Sequence, residues 1–210
     1  RQMCIRDRDW QLTVYEPDFK TPDWIKDGTM YQIFPDRFAR SGSCDLTYKL
    51  QPFWVHESPD ELPEYRPDAQ GEVRNNDFFG GNFAGICEKL PYLQELGVGV
   101  LYLNPIFMAW SNHRYDTADY RRPDPMLGTE EDFRTLCDEA HARGMRVILD
   151  GVFSHTGSNS VYFDAKHVFG HGAVSDPNSP YRRWYRFHHY PDDYEAWWGI
   201  RTLPCVEELD

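Results

Sequence analysis

The sequence predicts an α/β protein whose strands run parallel. Three observations carry that expectation. Short apolar runs at 30–34, 98–103 and 145–149 alternate with helical periods at 82–96 and 129–143. The second and third runs are nearly continuous in apolar residues, as strands buried on both faces are. Each run ends in a polar group: Asp36 just past the first, Asn104 after the second, Asp150 after the third. Strand, helix, strand, helix, strand is the pattern of βαβ units in a parallel sheet, where ligand chemistry gathers beyond the carboxyl ends of the strands.

The chain opens unlike the rest. Residues 1–8 match one frame of a common sequencing-library adapter and are set aside with Cys4. Trp10, Leu12 and Val14 alternate with polar or aromatic neighbours, a period of two that predicts a strand. Pro17 and Pro22 then interrupt regular structure, so 9–27 reads as the end of an N-terminal β domain plus a linker. Residues 39–80 hold Gly, Pro, Ser and Asp without sustained periodicity, a length of loop usually tied to function.

Asn82 is placed to cap the first long helix, whose apolar face is Ile86, Leu90, Leu93 and Leu96, with Pro91 as a point of kinking and Gly97 as the stop. Thr129 and Asp132 form a capping-box signal for the second, with Phe133, Leu136, Cys137 and Ala140 on one face and Gly144 as its left-handed stop. Both helices return the chain to an apolar strand.

Composition bounds the function. Asp and Glu number 34 against 22 Lys and Arg, a net charge of −12 that disfavours phosphate backbones, so no nucleic-acid partner is expected. No run approaches the roughly 18 apolar residues of a membrane span, and no signal peptide opens the chain. The five cysteines show no CxxC pair and no histidine at zinc-ligand spacing. Cys87 and Cys137 fall on apolar stripes as buried thiols, and a reducing compartment, the cytoplasm, is the expectation. Aromatic residues reach 16%, which either enriches the core in rings or provides flat faces for a ligand rich in C–H groups, such as a sugar.

Four segments, in order, carry a resemblance: Asp27-Gly-Thr-Met-Tyr-Gln-Ile-Phe-Pro-Asp-Arg-Phe38, Phe79-Gly-Gly-Asn-Phe-Ala-Gly-Ile86 with Leu93-Gln-Glu-Leu-Gly97, His113-Arg-Tyr-Asp-Thr-Ala-Asp-Tyr120 with Leu127-Gly-Thr129, and Asp150-Gly-Val-Phe-Ser-His-Thr-Gly157. Together they resemble the α-amylase family of glycoside hydrolases, in its neopullulanase, cyclomaltodextrinase and maltogenic-amylase branch, over about residues 10–210. The resemblance implies a (β/α)8 TIM barrel, of which 28–157 supplies the first three βα units, followed at 158–210 by a small domain inserted after strand three and ending before strand four.

It also implies roles. Tyr115 matches the tyrosine that stacks on the glucose before the cleaved bond, and His155 the histidine that bonds a hydroxyl of that sugar. A packed loop tyrosine, and a structural or metal-binding histidine, are the competing readings. Asp150 and Asn104 support the site. Trp197 and Trp198 offer further stacking faces or belong to the core. The nucleophile Asp and acid/base Glu of the family follow strands four and five, beyond residue 210, so no catalytic carboxylate is assigned. The acids Glu57, Asp60, Glu61 and Glu64 read as a solvated run.

No cofactor is expected. Calcium is disfavoured because Ser154 stands where many relatives carry Asn, and Ala39-Arg40-Ser41 and Asn82 stand where branch members place calcium ligands. The function implied is a fragment of a retaining α-glucan hydrolase acting on α-1,4, with α-1,6, bonds of maltooligosaccharides, cyclodextrins or pullulan, inactive as this chain alone; a full-length homodimer is in keeping with the branch. Alternatives are a truncated barrel that binds glucan or has no function, and a related glucosyltransferase.

Overall fold

A computed structural model describes residues 13–26, 28–69, 71 and 73–207. The adapter-like residues 1–8 and the first part of the strand expected from Trp10 lie outside them. In the described remainder of that segment, Val14 and Tyr15 join no ladder and are exposed.

In chain order the elements are α1 (Asp23–Lys26), β1 (Thr29–Ile33), α2 (Pro35–Phe38), β2 (Trp54–Val55), β3 (Asp77–Phe78), α3 (Phe83–Glu95), β4 (Val98–Leu103), β5 (Phe107–Ala109), β6 (Thr117–Pro123), α4 (Glu130–Ala142), β7 (Arg146–Leu149), β8 (Phe187–His189) and β9 (Asp193–Tyr194). Short 3-10 turns occupy Pro180–Trp184 and Trp197–Gly199. β4 lies between β1 and β7, parallel to both, with Ile33 beside Leu103 and Leu103 beside Leu149. The parallel βαβ expectation is met.

Both long helices begin where their caps place them. The Asn82 side chain accepts from the Gly85 amide, and Thr129 and Asp132 form a reciprocal capping box. The helices cover one face of the sheet, where Ile33, Leu101 and Leu103 meet Ile86, Leu90, Leu93, Leu136 and Ala140 in one buried cluster. Met30, Gln32 and Arg146, which alternate with that face, are exposed.

Three local expectations need correction. Leu96 is past the last turn of α3 as its C-cap and points to solvent, 53% exposed. β7 is not a buried strand: among the described residues it pairs with β4 alone, at the edge of the sheet, and Arg146 and Leu149 are exposed. Cys87 and Cys137 are half-buried rather than buried, at the margins of the apolar stripes.

A second apolar cluster forms after residue 157 from Val161, Tyr162, Phe163, Ala173 and Tyr185, with Phe187 and Tyr194 of the β8–β9 hairpin against it. The segment at Cys205 and Val206 reaches the loop after β7 through a bridge to His155 and the cluster itself through a bridge to Tyr185. The long 39–80 loop is more ordered than its composition suggests. β2 pairs with β3 in parallel, and Lys49, His56 and Asp77 within it are buried.

The joint between β1 and α3 is close-packed. A Cβ on Gly81 would lie 2.0 Å from the Pro35 carbonyl oxygen, whereas one on Gly97, at φ +82°, would meet nothing within 4 Å. Gly81→Ala is expected to cost about 3 kcal/mol or more through forced backbone displacement. Gly97→Ala is expected to cost about 1 kcal/mol, the left-handed conformation alone. Urea unfolding of the two variants checks the order.

Candidate active site

Because β1, β4 and β7 are parallel, their carboxyl ends share one edge of the sheet, and Asp36, Asn104 and Asp150 follow them there. Asp36 sits in the short helix α2 rather than in an irregular strand end. It is fully buried and accepts from the Phe79 and Gly80 amides at 3.2 Å each. Burial pushes its carboxyl up, against the pull of Arg114 and those amides. The Asn104 oxygen accepts from Gln32 Nε2 at 2.7 Å.

Tyr115 lies in the hairpin loop between β5 and β6. Its hydroxyl donates to Asp150 Oδ2 at 2.7 Å, and burial, with the Asp150 charge nearby, raises the Tyr102 phenol on β4. Burial, then the bond to Asp150, raises the Tyr115 phenol, so it stays a protonated donor. Its amide donates to His113 Nδ1 at 3.0 Å, and that nitrogen also lies 3.1 Å from Ser111 Oγ. The Asp116 carboxylate accepts from the Trp110 and Ser111 amides and the Ser111 hydroxyl. The ring of Tyr115 is thus held from its backbone and from its tip.

His155 is buried, with Nδ1 3.1 Å from Ser154 Oγ. Its Nε2 is buried and has no hydrogen-bond partner among the described residues. Burial pushes the imidazole down, more than the Tyr115 backbone carbonyl and Asp116 pull it up, so the ring is neutral at pH 7. A buried polar atom left unpaired costs about 1–3 kcal/mol, which a ligand hydroxyl would recover. Trp197 packs 5.3 Å from the His155 ring, and Trp198 stacks on Trp197 at 4.5 Å and 6°. Trp198 is 84% exposed, at φ +51°. Trp197 thus contacts both rings, and Trp198 is the exposed member of the tryptophan pair.

The structure brings Tyr115 to Asp150 and His155 to Trp197. It ties Asn104 to Gln32, within the sheet. The Asn82 carboxamide oxygen accepts from the Ser41 and Gly85 amides, and the Arg40 side chain lies against Gly80. Among the described residues no three His, Cys, Asp or Glu side chains group as a metal site. No helix of the described residues is long and apolar enough to cross a membrane.

Sequence reading missed the polar clusters behind the site. Glu61 is not merely solvated: it accepts from the Glu57 and Ser58 amides and from His56 Nδ1, while His56 Nε2 faces Asp77 Oδ2 at 3.1 Å. Lys49 and Arg114 converge on Asp124. None of these pairs has a local spacing signal. Only Asp124, polar between Pro123 and Pro125, hinted at a special place.

The family described as Alpha amylase, catalytic domain, matches residues 32–199. Amylopullulanase of Thermoanaerobacter thermohydrosulfuricus is 42% identical over 225 residues, covering 97% of this chain and 15% of that enzyme. Intracellular maltogenic amylase of Bacillus subtilis (strain 168) is 44% identical over 195 residues, covering 91% and 30%. The structure of cyclic α-maltosyl-(1→6)-maltose hydrolase from Arthrobacter globiformis in complex with maltose aligns with TM-score 0.71 at 35% identity, covering 90% of this chain and 40% of that one. The chain spans less than a third of the length of either relative.

The two buried histidines give opposite pH signatures. The lowered pKa of His155 contributes stability that is full above about pH 6.5 and falls as pH drops below it, since the unfolded chain binds the proton more readily. For His56, burial lowers the pKa but the bonds to Glu61 and Asp77 outweigh it, so its contribution is full below about pH 6.5 and lost as pH rises through the higher folded value. His56→Gln is expected to lower Tm most at pH 5.5 and least at pH 8.5, and His155→Asn to weaken the acid sensitivity. Thermal melts across that range check both.

Proposed function

The chain belongs to the α-amylase catalytic-domain family of glycoside hydrolases, and on that premise we propose that it forms one wall of the glucan cleft of a retaining α-glucan hydrolase. The bonds cleaved are α-1,4, with α-1,6 as a second linkage, in maltooligosaccharides, cyclodextrins or pullulan. The observation that carries this reading is the buried, unpartnered Nε2 of His155 beside the tryptophan stack, at the strand edge where Tyr115 is held to Asp150.

Each group has work suited to its chemistry. The Tyr115 ring offers an apolar plane to the C–H face of a glucose, and its hydroxyl, anchored on Asp150, keeps that plane fixed. The neutral His155 ring can pair Nε2 with a sugar hydroxyl. The outer face of Trp198 serves a glucose further along the chain. Asp150 receives the Tyr115 hydroxyl and so serves as its support. A retaining mechanism needs two carboxyl groups about 5–5.5 Å apart across the scissile bond. No acid of this wall suits either role, and we propose that the nucleophile Asp and acid/base Glu come from outside these 210 residues, which alone are inactive.

In the same reading 28–157 is the first part of the barrel, and the second apolar cluster supports a small inserted unit from 158 onward. Calcium has no part in it. The half-buried thiols Cys44, Cys87 and Cys137, none in a disulfide, and a relative named as intracellular support the cytoplasm as compartment.

The test is hydrolysis of maltotriose, β-cyclodextrin and pullulan by the intact protein, with the anomer of the first product followed by NMR. Release of the α-anomer is expected, and release of the β-anomer overturns retention. Tyr115→Ala is expected to lower kcat/KM about 100-fold by loss of sugar orientation. Trp198→Ala is expected to raise KM with little change in kcat.

A further inference from the structure

The 39–80 loop contributes a lysine whose side chain is fully buried, as are those of its partners. Lys49 Nζ donates to Asp124 Oδ2 at 2.8 Å and to the Ala109 carbonyl at 2.7 Å. Arg114 Nε donates to the same Asp124 oxygen at 2.9 Å, and its Nη1 to the Asn112 carbonyl at 2.8 Å. Tyr48 Oη and the Met126 amide bond the other Asp124 oxygen. Ala109 ends β5 and Asp124 follows β6, so the lysine ties both strands of the hairpin whose loop carries Tyr115.

This arrangement is expensive. Burial pushes the Lys49 ammonium down and the Asp124 carboxyl up, each toward its neutral form, and the Arg114 guanidinium down to about 10. Apolar side chains of the same volume would fill the space at lower cost, so packing alone does not account for the cluster. Arg114 has φ +63°, a conformation that disfavours a side chain by about 1–2 kcal/mol. These side-chain bonds, a further one from Nη2 to Met126 Sδ, and one from its amide to Ser111 Oγ at 3.1 Å hold it there. The backbone of Arg114 sets the direction in which Tyr115 leaves the turn.

We propose that Lys49 is a positioning residue for the glucan-stacking ring of Tyr115, acting through the Asp124 carboxylate and the Arg114 guanidinium. The inference rests on the reading of Tyr115 given above. It makes the long loop part of the cleft's architecture without any loop residue touching sugar.

The test uses the intact protein labelled with 3-fluorotyrosine, the Tyr115 fluorine line being identified with Tyr115→Phe. Lys49→Met keeps the chain length and removes the charge. It is expected to shift and broaden the Tyr115 line while the Tyr194 line, in the second cluster, stays in place. Its Kd for maltotriose is expected to rise roughly tenfold, with no further rise when Lys49→Met is added to Tyr115→Ala. Tyr48→Phe, which removes one hydroxyl from Asp124 and no charge, gives a smaller shift of the same line and serves where Lys49→Met does not fold. An unmoved Tyr115 line in either folded variant, or additive losses in Kd, overturns the positioning role. A moved line in a protein whose parent binds no maltotriose supports the coupling and overturns the glucan reading instead.

Discussion

Everything in this structure follows from parallel pairing of β1, β4 and β7. A parallel sheet sends each strand back by a crossover, and here the crossovers are α3 and α4, which bury one face of the sheet. The same geometry delivers three carboxyl ends to one edge. Asp36, Asn104 and Asp150 are neighbours only because of it; in the chain they are tens of residues apart. Loops that leave this edge are free to carry Tyr115 and His155, since the sheet beneath holds their roots fixed.

The loops are held by buried polar groups rather than by apolar packing. Asp36, Asp77 and Asp124 each receive several donors. Apolar contacts are non-directional and tolerate rotation, whereas a carboxylate with two or more donors defines an orientation. That difference suits a site that must present the plane of a ring to a flat ligand. It also gives the histidines opposite pH responses: His56 is raised by its carboxylate partners, and His113 and His155 are lowered by burial.

The second cluster, after residue 157, closes on the site from the other side. Its returning segment forms the bridge between His155 and Cys205 and places Trp197 against the histidine. One imidazole nitrogen is left buried without a partner. The tryptophan pair packs against that imidazole.

The sequence by itself determined the local elements. Cap residues Asn82 and Thr129, the 3.6-residue periods behind them and the apolar run 98–103 placed two helices and the central strand, because caps and periodicity act over a few residues. The four motifs determined the family and, with it, where Tyr115, Asp150 and His155 stand. Solvent exposure of Leu96 and β7 depended on what lies beside them in space. Only the tertiary structure decided that Lys49 and Arg114 meet at Asp124, that His56 lies between Glu61 and Asp77, and that Trp198 is exposed where Trp197 is half-buried. Those contacts join residues far apart in the chain, and no periodicity or spacing rule reaches across a crossover: which buried charge finds which partner is settled by the packing of loops over a common sheet edge.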